Sequence, residues 1–203
     1  MRLLLAFLLL AIAAGPTQAE KRTNVGELQV GEIASVELPL KITFSRASTV
    51  QFHVSIFGMF KKRGSFTQMR GTLFIQKNTA RVVARIQTAS AVMKSESDAA
   101  LLKGPAYFDA AQFPEILFKS DSFPIATLRE GGQIGGDLTV RGIRQKQRFL
   151  LITKPCAKAF AQTPWRCAFE VTGTLNRSEF GMKARRGIVS DEVHLTLLIA
   201  EGH

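Results

Sequence analysis

From Val50 to Ile56 apolar and polar side chains alternate without a break, as Val-Gln-Phe-His-Val-Ser-Ile, and a period of two suits only a strand with one buried face. The pattern returns at Leu40, Ile42 and Phe44, at Thr72–Ile75, at Val82, Ala84 and Ile86, and at Ile116 and Phe118. It resumes at Leu138 and Val140, at Phe149 and Leu151, at Phe169, Val171 and Leu175, and from Val193 to Ile199. Strands with one apolar stripe each belong in an antiparallel sheet, and closing that sheet on itself removes its exposed edges. The expected fold is therefore all-β, a closed antiparallel barrel of about eight strands with a short helical insertion.

The insertion lies between Ser90 and Pro114, where alternation stops. Ser97 is a candidate cap for a helix through Leu102, ended by Gly104-Pro105, and Asp109 for a second over Tyr107–Phe113, ended by Pro114. Gly58, Gly64 and Lys61-Lys62-Arg63 read as an interruption of the sheet, Pro124 as part of a strand reaching Leu128, and Gly131–Gly136 as a hairpin loop.

The amino terminus follows a different rule. Met1-Arg2, an apolar run from Leu3 to Ala14 and the small residues Thr17 and Ala19 read as a signal peptide, cleaved after Ala19 and too short to span a bilayer. The expected organisation is signal peptide 1–19, an arm 20–37 of poor alternation, and one barrel domain 38–203, exported to the periplasm. In an oxidising compartment Cys156 and Cys167 read as a disulfide that staples a loop between neighbouring strands, stabilising by about 2–3 kcal/mol.

The formal charge of +11 raises nucleic acid as a partner, but export and the lack of an arginine- and aromatic-rich groove motif exclude it. The basic clusters are Lys61-Lys62-Arg63, Arg141 with Arg144, Lys146 and Arg148, and Lys183 with Arg185 and Arg186. They suit a solvated surface or a peripheral contact with an anionic membrane. His53 and His194 fall on the outward parity and His203 is terminal, so spacing assembles neither a metal centre nor a general base. Asp109, Asp137 and Asp191 sit where caps and turns need them. No nucleophile elbow and no phosphate loop is present, so the chain is read as a non-enzyme without cofactor.

Fifteen phenylalanines against one tyrosine and one tryptophan make the inward stripe bulky and almost free of polar groups. Those side chains either seal a filled core or line a cavity for an apolar, elongated guest. The candidate lining is Val50, Phe52, Val54 and Ile56, then Val82 and Ile86, then Ile116 and Phe118, then Leu138 and Val140, with Phe149, Phe169, Leu195 and Leu197. Phe108 and Phe113, in the insertion, are candidates to close one end.

Four blocks in order resemble the YceI-like family: Phe108-Asp109 with Pro114, Ile116, Phe118 and Ser120; Gly136–Gly142; Arg177-Ser178-Glu179-Phe180-Gly181; and Ser190-Asp191-Glu192-Val193. Ser48–Phe52 resembles its opening strand, whereas Phe57-Gly58-Met59 stands where a histidine often follows. The resemblance implies a lipocalin-like barrel, exported in many bacterial members, whose lumen holds a polyisoprenoid such as an isoprenoid quinone. The cysteine pair resembles one found in some periplasmic members. Two functions follow: an exported carrier of an apolar isoprenoid-like lipid, or a structural protein with a filled core whose basic surface meets a membrane or redox partner. Either is compatible with a homodimer.

Overall fold

The computed structural model describes residues 40–44, 46, 48–153 and 169–199. The signal peptide, the arm and both cysteines lie outside them.

Twelve strands form one antiparallel, curled sheet. In chain order they are β1 (Leu40–Thr43), β2 (Thr49–Ile56), β3 (Phe60–Phe66), β4 (Met69–Gln76), β5 (Thr79–Gln87) and β6 (Ala91–Met93). Helix α1 (Glu96–Lys103) intervenes before β7 (Glu115–Ser120) and β8 (Phe123–Pro124), and α2 (Thr127–Glu130) before β9 (Gly132–Val140). The last are β10 (Ile143–Thr153), β11 (Phe169–Asn176) and β12 (Val189–Ile199). The hydrogen-bonded order is β1-β4-β5-β7-β9-β10-β11-β12-β2-β3-β6, with β8 on β5.

Eleven strands in that path exceed the expected eight in part because two strands bend rather than end. β3 leads into β4 through Thr67 and Gln68 alone, and β5 leads into β6 through one 3-10 turn, Thr88–Ser90. Across this corner Thr67 N–H donates to Ser90 O (3.2 Å) and Gln87 N–H to Gln68 O (3.0 Å), so the ladder carries on through the bend.

Several local expectations need correction. The basic cluster is no interruption: Lys61, Lys62 and Arg63 lie within β3, paired with β2 over its whole length. Cross-strand hydrogen bonding overrides the poor strand propensity of lysine. Gly131–Gly136 is no loop either, because β9 starts at Gly132 and pairs with Leu151. Beyond Pro124 the chain turns into α2 rather than extending to Leu128.

The insertion holds one helix where two were expected. Its cap is Ser95, whose Oγ accepts from Asp98 N–H at 3.3 Å, two residues before Ser97. The second helix is replaced by hydrogen-bonded turns around Asp109, with Gln112 and Phe113 N–H both donating to Asp109 O. Arg141 accounts for this. Its guanidinium donates to Pro105 O (2.8 Å) and to Tyr107 O, holding outside any helix the carbonyls that would start one. Arg141 and Gly142 form the tight β9–β10 turn with φ of +52° and +72°, and this aims the side chain at the insertion. A residue read as surface charge thus fastens the plug.

Candidate functional site

The inward faces of the strands do not meet. They enclose a cavity of about 220 Å³, and its lining is aliphatic and aromatic except for Lys62, Asp98, Arg177 and Arg185. Every candidate lining residue faces it except Phe113. The Phe113 ring lies under the Arg141 guanidinium, 6.0 Å away, and against Gly142, so it packs the turn instead of closing the cavity. Phe108 does face inward, edge-on to Phe66 at 5.3 Å.

Strand parity explains this agreement, and it extends to residues not singled out: Leu73, Ile134, Leu151, Val171, Leu175, Val193 and Ile199 continue the same stripes into the lining. Leu101, Leu102 and Tyr107 enter from the insertion and Met182 from the loop after β11, where no period of two could reveal them. Phe52 and Phe66 pack at 5.5 Å, and Phe118 meets Phe149 edge-on at 5.2 Å.

Lys62 and Asp98, both partly exposed, mark the rim. Lys62 Nζ and Asp98 Oδ2 pair at 2.5 Å between β3 and α1, so the helix is tied across the cavity's end. Arg177 is 3 % exposed and, among the described residues, forms no ion pair. Its Nε donates to Ser190 O (2.9 Å), Nη1 to Met182 O (2.7 Å) and Ala184 O (2.8 Å), and Nη2 to Val189 O (3.1 Å). One side chain therefore gathers two carbonyls of the loop before β12 and the first two of β12 itself, which buried polar groups require. Asp191 accepts from Ser178 N–H (2.9 Å) and Ser178 Oγ (2.5 Å) and fixes the same corner.

Outside the sheet, His53 and His194 face each other across the β2–β12 ladder and stack at 4.5 Å. Burial, then His194, Lys61 and Arg63, push the His53 pKa below its ordinary value. Among the described residues no group of three or more His, Cys, Asp or Glu side chains could hold a metal.

The YceI-like domain family model matches residues 43–200, most of the chain. The chain belongs to the YceI-like family. It is 29% identical to Protein YceI of Escherichia coli O157:H7 over 163 residues, covering 74% of this chain and 78% of that protein. Among solved structures it is similar to Burkholderia cenocepacia BcnA (TM-score 0.63, 18% identity, 75% of this chain and 94% of that one). It is also similar to a polyisoprenoid binding domain from Saccharophagus degradans implicated in plant cell wall breakdown (TM-score 0.60, 11% identity, 80% and 97%). Within the blocks that carry the resemblance, Arg141 and Arg177 bind carbonyls, Asp191 caps a turn, and Phe118 and Leu138 line the interior.

Proposed function

We propose that the chain is an exported, non-enzymatic lipid-binding protein that sequesters or carries a polyisoprenoid in the lumen of a closed barrel. The observation that carries this reading is the apolar cavity itself. Cavities of about 150 Å³ lined by such side chains stay dry and take up benzene, so a larger one has room for a ring or a branched tail segment. Each methylene buried contributes about 0.8 kcal/mol, so a long tail binds without a charged anchor. Counting β3 with β4 and β5 with β6 as single bent strands, and β1 with β2, whose partners are β4 and β3, leaves eight positions around the sheet, in support of closure. The polyisoprenoid-binding neighbour supports the class of guest. The cavity weighs against the filled-core alternative.

An isoprenoid quinone fits this description, its ring near the charged rim and its tail among the phenylalanines. In the periplasm, Cys156 and Cys167 would be joined. The deciding measurement is mass spectrometry of an organic extract of the protein purified from its own periplasm. A stoichiometric isoprenoid is the expected result; an extract free of lipid would overturn the carrier reading.

A further inference from the structure

The β2–β3 hairpin ends in Phe57-Gly58-Met59-Phe60, and its three large apolar side chains are 61 %, 75 % and 64 % exposed. Phe57 has φ +48° and Gly58 φ +69°, with Met59 N–H on Ile56 O at 3.1 Å. A turn of this kind favours asparagine, aspartate or glycine at its first position, and a bulky side chain there is an outlier. Neither the turn nor the core asks for Phe57. Solvent asks for it least of all.

The surroundings of the tip are cationic. Phe57 N–H donates to Ile188 O (2.8 Å), which joins the tip to the loop before β12, and Ile188 is itself 41 % exposed. Residues 57–63 and 183–188 carry Lys61, Lys62, Arg63, Lys183, Arg185 and Arg186 and no acidic residue. Among the described residues Lys62 pairs with Asp98. The tip also stands at the cavity's rim, since Phe60 lies across the ladder from Ile56, and Ile56, Lys62, Arg185 and Val189 all line the cavity.

We propose that this tip docks the protein on an anionic bilayer, with Phe57, Met59, Phe60 and Ile188 in the interfacial layer and the surrounding cations against lipid phosphates. Charge decides the occupant: a second copy would bring an equally cationic tip, whereas an anionic lipid surface complements both the apolar centre and the basic ring. The inference deepens the carrier reading, because docking sets the cavity mouth against the source of its guest and spares the tail a passage through water.

The test is flotation of the protein, as processed by its cell, with vesicles of phosphatidylglycerol and phosphatidylethanolamine in equal parts, against vesicles of phosphatidylcholine alone. Partitioning onto the anionic vesicles is expected to weaken about 20-fold or more in the double variant Lys61→Glu with Arg63→Glu. In Phe57→Ser with Phe60→Ser it should weaken about 10-fold or more. Circular dichroism confirms folding, and vesicle-induced blue-shifted emission from Phe57→Trp, against the unsubstituted protein, reports insertion if a double variant fails to fold. Equal binding to both vesicle types, unchanged binding of the tip variant, or concentration-dependent self-association abolished by that variant would overturn the proposal. Lipid in the extract without docking refutes this inference alone; docking by a protein whose extract is empty refutes the carrier reading alone.

Discussion

Phe52 on β2 and Gly64 on β3 are direct partners across the ladder, and the Phe52 ring occupies the space that a Cβ at position 64 would need. The relationship repeats around the sheet. Phe44 covers Gly71 and Phe149 covers Gly173, where a Cβ would come within 2.5 Å of the ring; at Gly136 the backbone of Lys119 and Ser120 stands closer still than the Phe118 ring. Each glycine is on the inward face, so each ring lies against the wall instead of projecting across the lumen. Seven phenylalanines can therefore line a cavity without filling it. Alanine at Gly173 is expected to push Phe149 inward, destabilising by about 1–3 kcal/mol and lowering Tm by about 2–4 °C for each kcal/mol. Thermal unfolding, with lipid content of the same sample, checks both consequences.

Phe118 tests the cavity from the other side. Its ring lines the lumen edge-on to Phe149. A carboxylate there would face an apolar lining, and burying it beside a tail is unfavourable by several kcal/mol. Phe118→Asp is expected to retain the β-sheet circular dichroism spectrum and lose copurified lipid; unchanged lipid content would contradict a luminal guest.

Arg177 should prove structural. Lysine keeps the charge but cannot reproduce a planar fork that reaches four carbonyls. Arg177→Lys is expected to cost about 2–4 kcal/mol, because carbonyls of the loop before β12 lose their donors. Hydrogen exchange should accelerate at residues 182–190 before it does so elsewhere.

The stacked histidines give the sheet a pH dependence. His53 titrates below its ordinary value of 6.5 in the folded chain, through burial first and then through His194, Lys61 and Arg63. His194 in turn bonds Glu192 through Nε2 at 2.9 Å. Below pH 6.5 the unfolded chain binds the His53 proton more readily, so stability falls as pH drops from 6.5 through the lower folded value and levels off beneath it. Denaturant unfolding at pH 7.5 and pH 5 should show this loss, and His53→Gln should reduce it.

Much of the lumen was legible in the chain because a strand's period is two: identify one inward residue, such as Phe52, and Val50, Val54 and Ile56 follow. Phe113 escaped that logic because it stands in a turn, where no period constrains its direction and the Arg141 guanidinium decides it. Arg141 likewise looked like surface charge, and no role was read for Arg177, since nothing local shows that an arginine will meet carbonyls of a distant or folded-back segment. The β3 strand was hidden for a related reason: Lys61, Lys62 and Arg63 have little strand preference, and only pairing with β2 makes them extended. By itself the sequence determined the strands' faces, the apolar lining and the family. Tertiary structure decided that the rings lie over glycines on neighbouring strands, leaving space between them, because such contacts join residues distant along the chain and exist only when the sheet has curled.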